Sequence, residues 1–543
     1  MIRLDRKQKF TDRRLFFIIF ALTFTIFIFT SDGHRNTFDE DAASQQALRI
    51  ATWSPHPEYV QGESKLWFEY ERFKNAANQP VCINGILCTT ASIPQSLTQV
   101  PFILINEQLN IITNTNTFWT EEDFNEPHYV WWRNSIPSSL IFMELFYGPV
   151  ISALSVGIFF LVCRTFNFNQ RVSITLAILF GFTTILWAYS QTSLNSVPSS
   201  FFVLTGFYFV RKFICKTNYL HLTLGSIFLG LAFLTRQDSI FFIAPIFFYL
   251  ILYTKKSRIK KIIFYSIPLA LSYVYFRYLP SIRFENALTT TEVGNLSNIG
   301  FTPISSNVVA AQLYNHLAGF PILNSLLEYP LHIGGFGLLF SPGVGLLIFC
   351  PVLLLIFLSF PDFFKRNKPE CILFIVFFGS FIFHFGTLDT WHGLVSWGPR
   401  YLLPLVPFLI LTIGACIEKR KHFTFKSSLI ILGAVGVLIN ISYLVQDVNW
   451  FIWGWPGTSG LYGIDKVIDG VRNSLNLDPT VFWTFEYSQL THAIFSLSTF
   501  QSDILLVKIL SLPLYIITFT ASFGIILYSL VIRNLLVMNK NAR

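Results

Sequence analysis

Apolar residues in this chain arrive in blocks of about 18–25, separated by short basic or aromatic connectors, and no other feature constrains the fold as much. A helix of that length crosses the hydrocarbon core of a bilayer, so the sequence predicts an all-α polytopic membrane protein of about twelve spans. They fall at 15–31, 138–162, 171–189, 198–213, 220–235, 239–254, 261–280, 335–360, 371–388, 400–417, 427–446 and 506–532. Composition agrees: only 13% of the 543 residues are charged, half the usual soluble fraction, which excludes a cytosolic enzyme and a disordered chain. The first span follows Arg13 and Arg14, but Ser31-Asp32-Gly33-His34 lacks a small-x-small cleavage pattern, so it reads as a retained helix.

Charge sets the expected orientation. The connectors on the side of the N-terminus hold 26 of the 39 Lys and Arg and five acids, against 13 basic and 25 acidic residues elsewhere. Positive connectors stay cytoplasmic, which puts both termini inside the cell membrane and the long loops outside. The pI near 9.1 then reports membrane orientation and implies no nucleic-acid partner. The long connectors are all external: loop 1 (31–136), loop 4 (281–334) and a last loop at 447–501. No Gly-x-x-x-x-Gly-Lys-Ser/Thr motif occurs, which argues against an ATP-driven pump. Cys82 and Cys88 flank Asn84-Gly85 in loop 1 and read as a local disulfide hairpin, with free thiols or a metal pair as the rival.

The chemistry-bearing residues sit at the external ends. Phe38-Asp39-Glu40-Asp41 follows the first span, and three adjacent carboxylates tend to raise the pKa of at least one of them. Such a carboxylate is a candidate general base. Asp39-x-Asp41 is alternatively a divalent-cation ligand pair, and the run is alternatively a solvated helix start. Arg236, in Thr235-Arg236-Gln237-Asp238, and Arg400, in Gly398-Pro399-Arg400-Tyr401, lie on the face from which positive charge is otherwise excluded. Arg grips phosphate oxygens bidentately; the rival reading is snorkelling, or pairing with Asp238 or Asp389.

Five segments together resemble the integral-membrane glycosyltransferases of the GT-C fold, the dolichyl-phosphate-mannose protein mannosyltransferase-like group that uses polyprenyl-phosphate sugars. They are Asp32-Gly33-His34 through Asp41, Trp187-Ala188-Tyr189-Ser190-Gln191-Thr192 through Pro198, Gly230 through Thr235-Arg236, Gly337 through Ser341-Pro342-Gly343 to Pro351, and Trp391-His392-Gly393 through Arg400 to Pro404. Gln237 stands where the family often has Pro, and His392 where Gly or an aromatic is commoner. The resemblance implies amphipathic loop helices at the membrane surface beside a lipid-donor cavity, and a first-loop acid as base. On it, Asp39 is the first choice for base and Glu40 the second, while Asp41 orients or binds a metal. Arg236 and Arg400 contact the donor phosphate. Trp391 and His392 line the sugar pocket, or belong to an interfacial aromatic belt, and Tyr314 and Asn315 face substrate. The one cofactor that the residues suggest is a divalent cation, magnesium or manganese.

The expected organisation is a cytoplasmic stretch at 1–14, a catalytic membrane region at 15–410, and a C-terminal membrane region at 411–543. The expected activity is inverting transfer of a sugar from a polyprenyl-phosphate carrier to a hydroxyl of a protein or glycolipid on the external face. A twelve-helix secondary transporter and a lipid-linked oligosaccharide transferase or ligase of the same fold are the alternatives.

Overall fold

The computed structural model describes residues 6–33, 38–51, 81–82, 86–87, 92–113, 141–253, 258–283, 330–388, 391–393, 396–419, 423–445, 482–485, 488–495, 504–510 and 512–527. Helix α1 (Arg6–Phe29) leads into α2 (Phe38–Ala51), a two-residue hairpin of β1 (Val81–Cys82) and β2 (Ile86–Leu87), and α3 (Ile93–Thr113). Then follow α4 (Ile141–Thr165), α5 (Gln170–Phe182), α6 (Leu186–Tyr189), α7 (Ser196–Lys216), α8 (Tyr219–Thr235), α9 (Ile240–Tyr253) and α10 (Arg258–Arg283). The remainder is α11 (Leu331–Phe340), α12 (Leu346–Phe349), α13 (Ile356–Arg366), α14 (Lys368–Gly386), α15 (Val406–Lys419), α16 (Phe423–Leu444), α17 (Gln489–Phe495), α18 (Leu505–Leu510) and α19 (Leu512–Leu527).

The protein is an all-α polytopic membrane protein, and helices occupy most of the described part of each expected span. Among the described residues, five helices are by themselves long and apolar enough to cross a bilayer. The expectation of one continuous span over 335–360 is corrected. That stretch is α11, α12, a 3-10 turn at Pro351–Leu355 and α13. Pro342 and Pro351 have no N–H to continue a ladder, and hydropathy alone does not register the break. The span at 171–189 likewise ends at Phe182 and resumes only as the single turn α6. Arg400–Leu405 is a 3-10 turn ahead of α15.

Helix α4 packs against α1, α5 and α7, and α8 packs against α7 and α10. Glycine makes the α7–α8 crossing possible: a Cβ on Gly206 would lie 3.0 Å from the Gly225 carbonyl, and one on Gly225 equally close to the Gly206 carbonyl. Apolar side chains such as Leu252, Ile259 and Ile430 point outward, as lipid-facing positions require, while Ser, Thr and Gln gather inside.

Charge pairs tie together one end of the bundle. Arg164 bonds to Asp12 at 3.0 Å, Lys419 to Asp362 at 2.7 Å, Arg366 to Glu418, and Arg211 to Glu370. The Tyr249 hydroxyl donates to Glu370 at 2.6 Å and accepts from Arg211 at 2.7 Å. These residues come from the connectors that share the N-terminal side, so four of the five acids on that side are counter-ions to its cations. Removing one partner of a buried pair leaves an uncompensated charge, at a cost of roughly 3–5 kcal/mol. Glu370→Ala is therefore expected to lower the melting temperature in detergent far more than Glu370→Gln, by thermal unfolding of the purified protein.

Candidate active site

The five motif segments meet at the opposite end. Trp187 donates from its indole to the Thr30 hydroxyl at 3.1 Å, and Gln191 donates to the Thr30 carbonyl, so the second segment holds the end of α1. Gly33, at φ +72°, turns the chain back, in the left-handed region that a side chain resists. Helix α2 then opens at Phe38, which puts Asp39, Glu40 and Asp41 in its first turn, where the helix dipole favours carboxylates.

Glu40 is wholly buried and accepts the Ser193 N–H at 2.7 Å. A solvated helix start does not describe it: this carboxylate fastens α2 to the turn between α6 and α7. The side chains of Asp39 and Asp41 lie outside the described residues, as do Tyr314, Asn315, Cys88 and Asp389. The backbone of the expected disulfide hairpin is present in part, with Cys82 paired to Ile86 across β1 and β2.

Arg236 caps the end of α8 and makes a two-point pair with Asp238, Nε to Oδ1 at 3.2 Å and Nη2 to Oδ2 at 2.8 Å. Its Nη1 donates to Asn195 Oδ1 at 3.4 Å, at the N-terminus of α7, where the helix dipole adds partial positive charge. Pairing with Asp238 is thus real, and it leaves one face of the guanidinium turned toward the α7 end. The guanidinium groups of Arg236 and Arg400 lie 5.5 and 5.2 Å from the centroid of the same ring, Tyr401, which itself stacks on Phe385 at 4.4 Å. Tyr189 lies within electrostatic reach of Arg400, Arg236 and Glu40 together. Arg236, with its partner Asp238, therefore shares this end of the bundle with Arg400 and Glu40.

Trp391 and His392 form the wall beside Arg400. Both are buried, and His392 stacks on Phe482 at 4.2 Å. Burial, reinforced by the Arg400 charge, pushes the His392 imidazole down to about 3, so it faces the site uncharged at neutral pH. Gln489 of α17 donates to the carbonyls of Gly343 and Ser396, each at 2.8 Å, joining the break after α11 to the loop before Arg400. The C-terminal region, which the motifs barely touch, thus supplies Phe482 and Gln489 to this wall. Neutral polar residues such as Gln489, Ser193 and Gln95 carry no charge or motif signal by which the sequence could have singled them out.

A Cβ on Gly337 would overlap the Trp391 ring. Gly337→Val is expected to displace Trp391 and cost about 1–3 kcal/mol, as overpacked sites do. Thermal unfolding checks the stability, and retained activity at the parental rate would show that Trp391 does not shape the site. Among the described residues no group of three or more His, Cys, Asp and Glu side chains is placed to hold a metal ion.

Residues 139–277, about a quarter of the chain, match the family model described as dolichyl-phosphate-mannose-protein mannosyltransferase. That segment holds Ser193 and Arg236; the acidic run and Arg400 lie outside it. No curated protein matches the sequence. Among solved structures, the chain is similar to the archaeal oligosaccharyltransferase AglB from Archaeoglobus fulgidus, in complex with an inhibitory peptide and a dolichol-phosphate. The identity is 12% and the TM-score 0.45, over 81% of this chain and 56% of that one. It is also similar to ArnT from Cupriavidus metallidurans bound to undecaprenyl phosphate, at 12% identity and TM-score 0.43, over 95% of this chain and 77% of that one. The chain spans little more than half the length of the AglB chain.

Proposed function

We propose that the protein is a membrane glycosyltransferase that moves a hexose or pentose from a polyprenyl-phosphate carrier to a hydroxyl of a protein or glycolipid acceptor. The observation that carries this reading is the convergence of Arg236, Arg400 and the Glu40-bearing turn of α2 at one end of the bundle. The donor lipid already carries the group-transfer energy, so the chain needs to supply only position, a base and positive charge.

In the reaction, Asp39 takes the proton of the acceptor hydroxyl as its oxygen attacks the anomeric carbon from the face opposite the phosphate. The carbon–oxygen bond to phosphate breaks, polyprenyl phosphate leaves with both bonding electrons, and the configuration inverts. Arg400 stabilises the charge that grows on the phosphate, with Arg236 and the α7 N-terminus beside it. Glu40 keeps α2 seated so that Asp39 stays in place, and Trp391 and His392 wall the sugar. Asp41 orients the run or, with Asp39, holds magnesium or manganese. A chelator titration separates these roles, since a base does not respond to it.

Both termini are assigned to the cytoplasm and the site to the external face. A membrane-impermeant thiol reagent should label a Cys introduced at Asn298 in intact cells, and one at Lys368 only after permeabilisation. The reverse pattern would put the site on the wrong side for an external acceptor. The activity itself is tested by identifying, by mass, the lipid that co-purifies with the protein. A polyprenyl-phosphate monosaccharide supports transfer, and its consistent absence from gently extracted protein counts against it.

A further inference from the structure

Helix α3 is amphipathic the wrong way round for a soluble protein. Leu97, Leu104, Ile105 and Leu109 are exposed on one side, while Ser92, Gln95, Ser96, Gln99 and Asn106 are buried on the other. A helix lying against lipid has this pattern, and it turns a polar stripe toward the protein. Three of these residues are accounted for. Gln95 donates to the Ser193 carbonyl at 2.7 Å, Ser96 donates to the Ala43 carbonyl at 3.0 Å and to Gln46 at 2.8 Å, and Asn106 accepts from the Phe142 N–H at 3.3 Å.

Gln99 is different. Its side chain is wholly buried, and neither its amide nitrogen nor its amide oxygen has a hydrogen-bond partner. A buried amide without partners is costly, so each one in a native chain calls for a physical reason, such as a water or ligand group that would complete its bonds. Gln99 lies one turn along the same face from Gln95, and the hydroxyls of Ser92 and Ser193 are buried and unpartnered as well. Ser193 is the residue whose N–H holds Glu40 and whose carbonyl holds Gln95. The unfilled donors and acceptors thus adjoin the acidic turn.

Resting on the transfer reaction above, we infer that this stripe, with Gln99 at its centre, is the subsite that reads the hydroxyls of the donor sugar. An amide offers a donor and an acceptor side by side, which complements two neighbouring ring hydroxyls, each of which can give and take a hydrogen bond. The placement suits the donor sugar in particular. Helix α3 packs against α2, which bears the acidic turn, and against α8, which ends at Arg236. In a displacement that puts base and phosphate on opposite faces of the anomeric carbon, the sugar ring lies between those two elements. Gln99 is then a specificity-determining residue, because a sugar lacking the matching hydroxyl would leave the amide unpaired.

The test uses full-length purified protein in detergent and two sets of probes: undecaprenyl phosphate, and undecaprenyl phosphate bearing mannose, glucose or a pentose. Gln99→Leu should weaken binding of the preferred sugar-bearing lipid by about tenfold to a hundredfold, as loss of a buried hydrogen-bonding group does. Affinity for undecaprenyl phosphate should stay within about twofold, and the ligand-free protein should melt no lower, since leucine removes an unsatisfied amide. Gln99→Glu keeps shape but alters donor capacity, and should shift the order of preference among the sugars. Equal loss for lipids with and without sugar, unchanged affinity for all of them, or a change seen only in the acceptor KM overturns the assignment. Parental protein that binds neither kind of lipid instead refutes the transferase reading itself.

Discussion

Asp39→Asn is expected to lower the rate of the proposed sugar transfer by about 10²–10⁴-fold while leaving donor affinity nearly unchanged. That is the usual consequence of removing a general base from an enzyme that otherwise binds normally. The expectation rests on position: Asp39 stands in the first turn of α2, next to Glu40, and Glu40 is anchored to the Ser193 N–H at 2.7 Å. Asparagine keeps the size and cannot take the proton. Glu40→Gln should be milder in rate, because its oxygen can still accept from Ser193, but Glu40→Ala should destabilise the protein by releasing α2. A rate for Asp39→Asn equal to that of the parent, in a lipid-sugar transfer assay, would remove the base assignment.

The second large effect is at Arg400. In the proposed reaction, its truncation to alanine withdraws a cation from the place where the phosphate gains charge, and should cost about 2–4 kcal/mol in the transition state. That corresponds to roughly 30- to 1000-fold in rate. Arg400→Lys should rescue poorly, since a point charge cannot reproduce a planar fork. Arg236→Ala is expected to behave differently. It strands Asp238, whose side chain is only 8% exposed, so stability should fall together with activity. The double change Arg236→Ala with Asp238→Ala should recover stability and leave the rate defect in view. Kinetics and thermal unfolding on the same preparations separate the two arginines.

Much of the architecture was legible because burial in lipid leaves a blunt record. A bilayer-spanning helix needs about twenty apolar residues, and Lys and Arg mark the connectors on one side. The same bluntness hides backbone detail: Ser341-Pro342-Gly343 and Pro351 interrupt an apolar run without changing its hydropathy, so four short elements read as one span. Arg236 and Arg400 were visible as positive charge on the wrong face, yet only coordinates reveal that Arg236 is held by Asp238 and that both arginines share Tyr401. Helix α3 was invisible for a physical reason. Its apolar residues suggest a core face, whereas its buried face is Ser92, Gln95, Ser96 and Gln99. Phe482 and Gln489 reach the site from a region with no motif at all, by packing and by two carbonyl bonds.

The central claim is transfer from a lipid-phosphate sugar, and turnover of that donor tests it most directly. Membranes of the cells that make the protein, with their soluble extract added back, would be given polyprenyl-phosphate monosaccharides labelled separately in the sugar and in the lipid. The account predicts that, for one of these donors, free polyprenyl phosphate accumulates as the sugar label moves into acceptor material, and that Asp39→Asn membranes release neither. Intact donor throughout the assay, or sugar release at the same rate in membranes carrying Asp39→Asn, would contradict it.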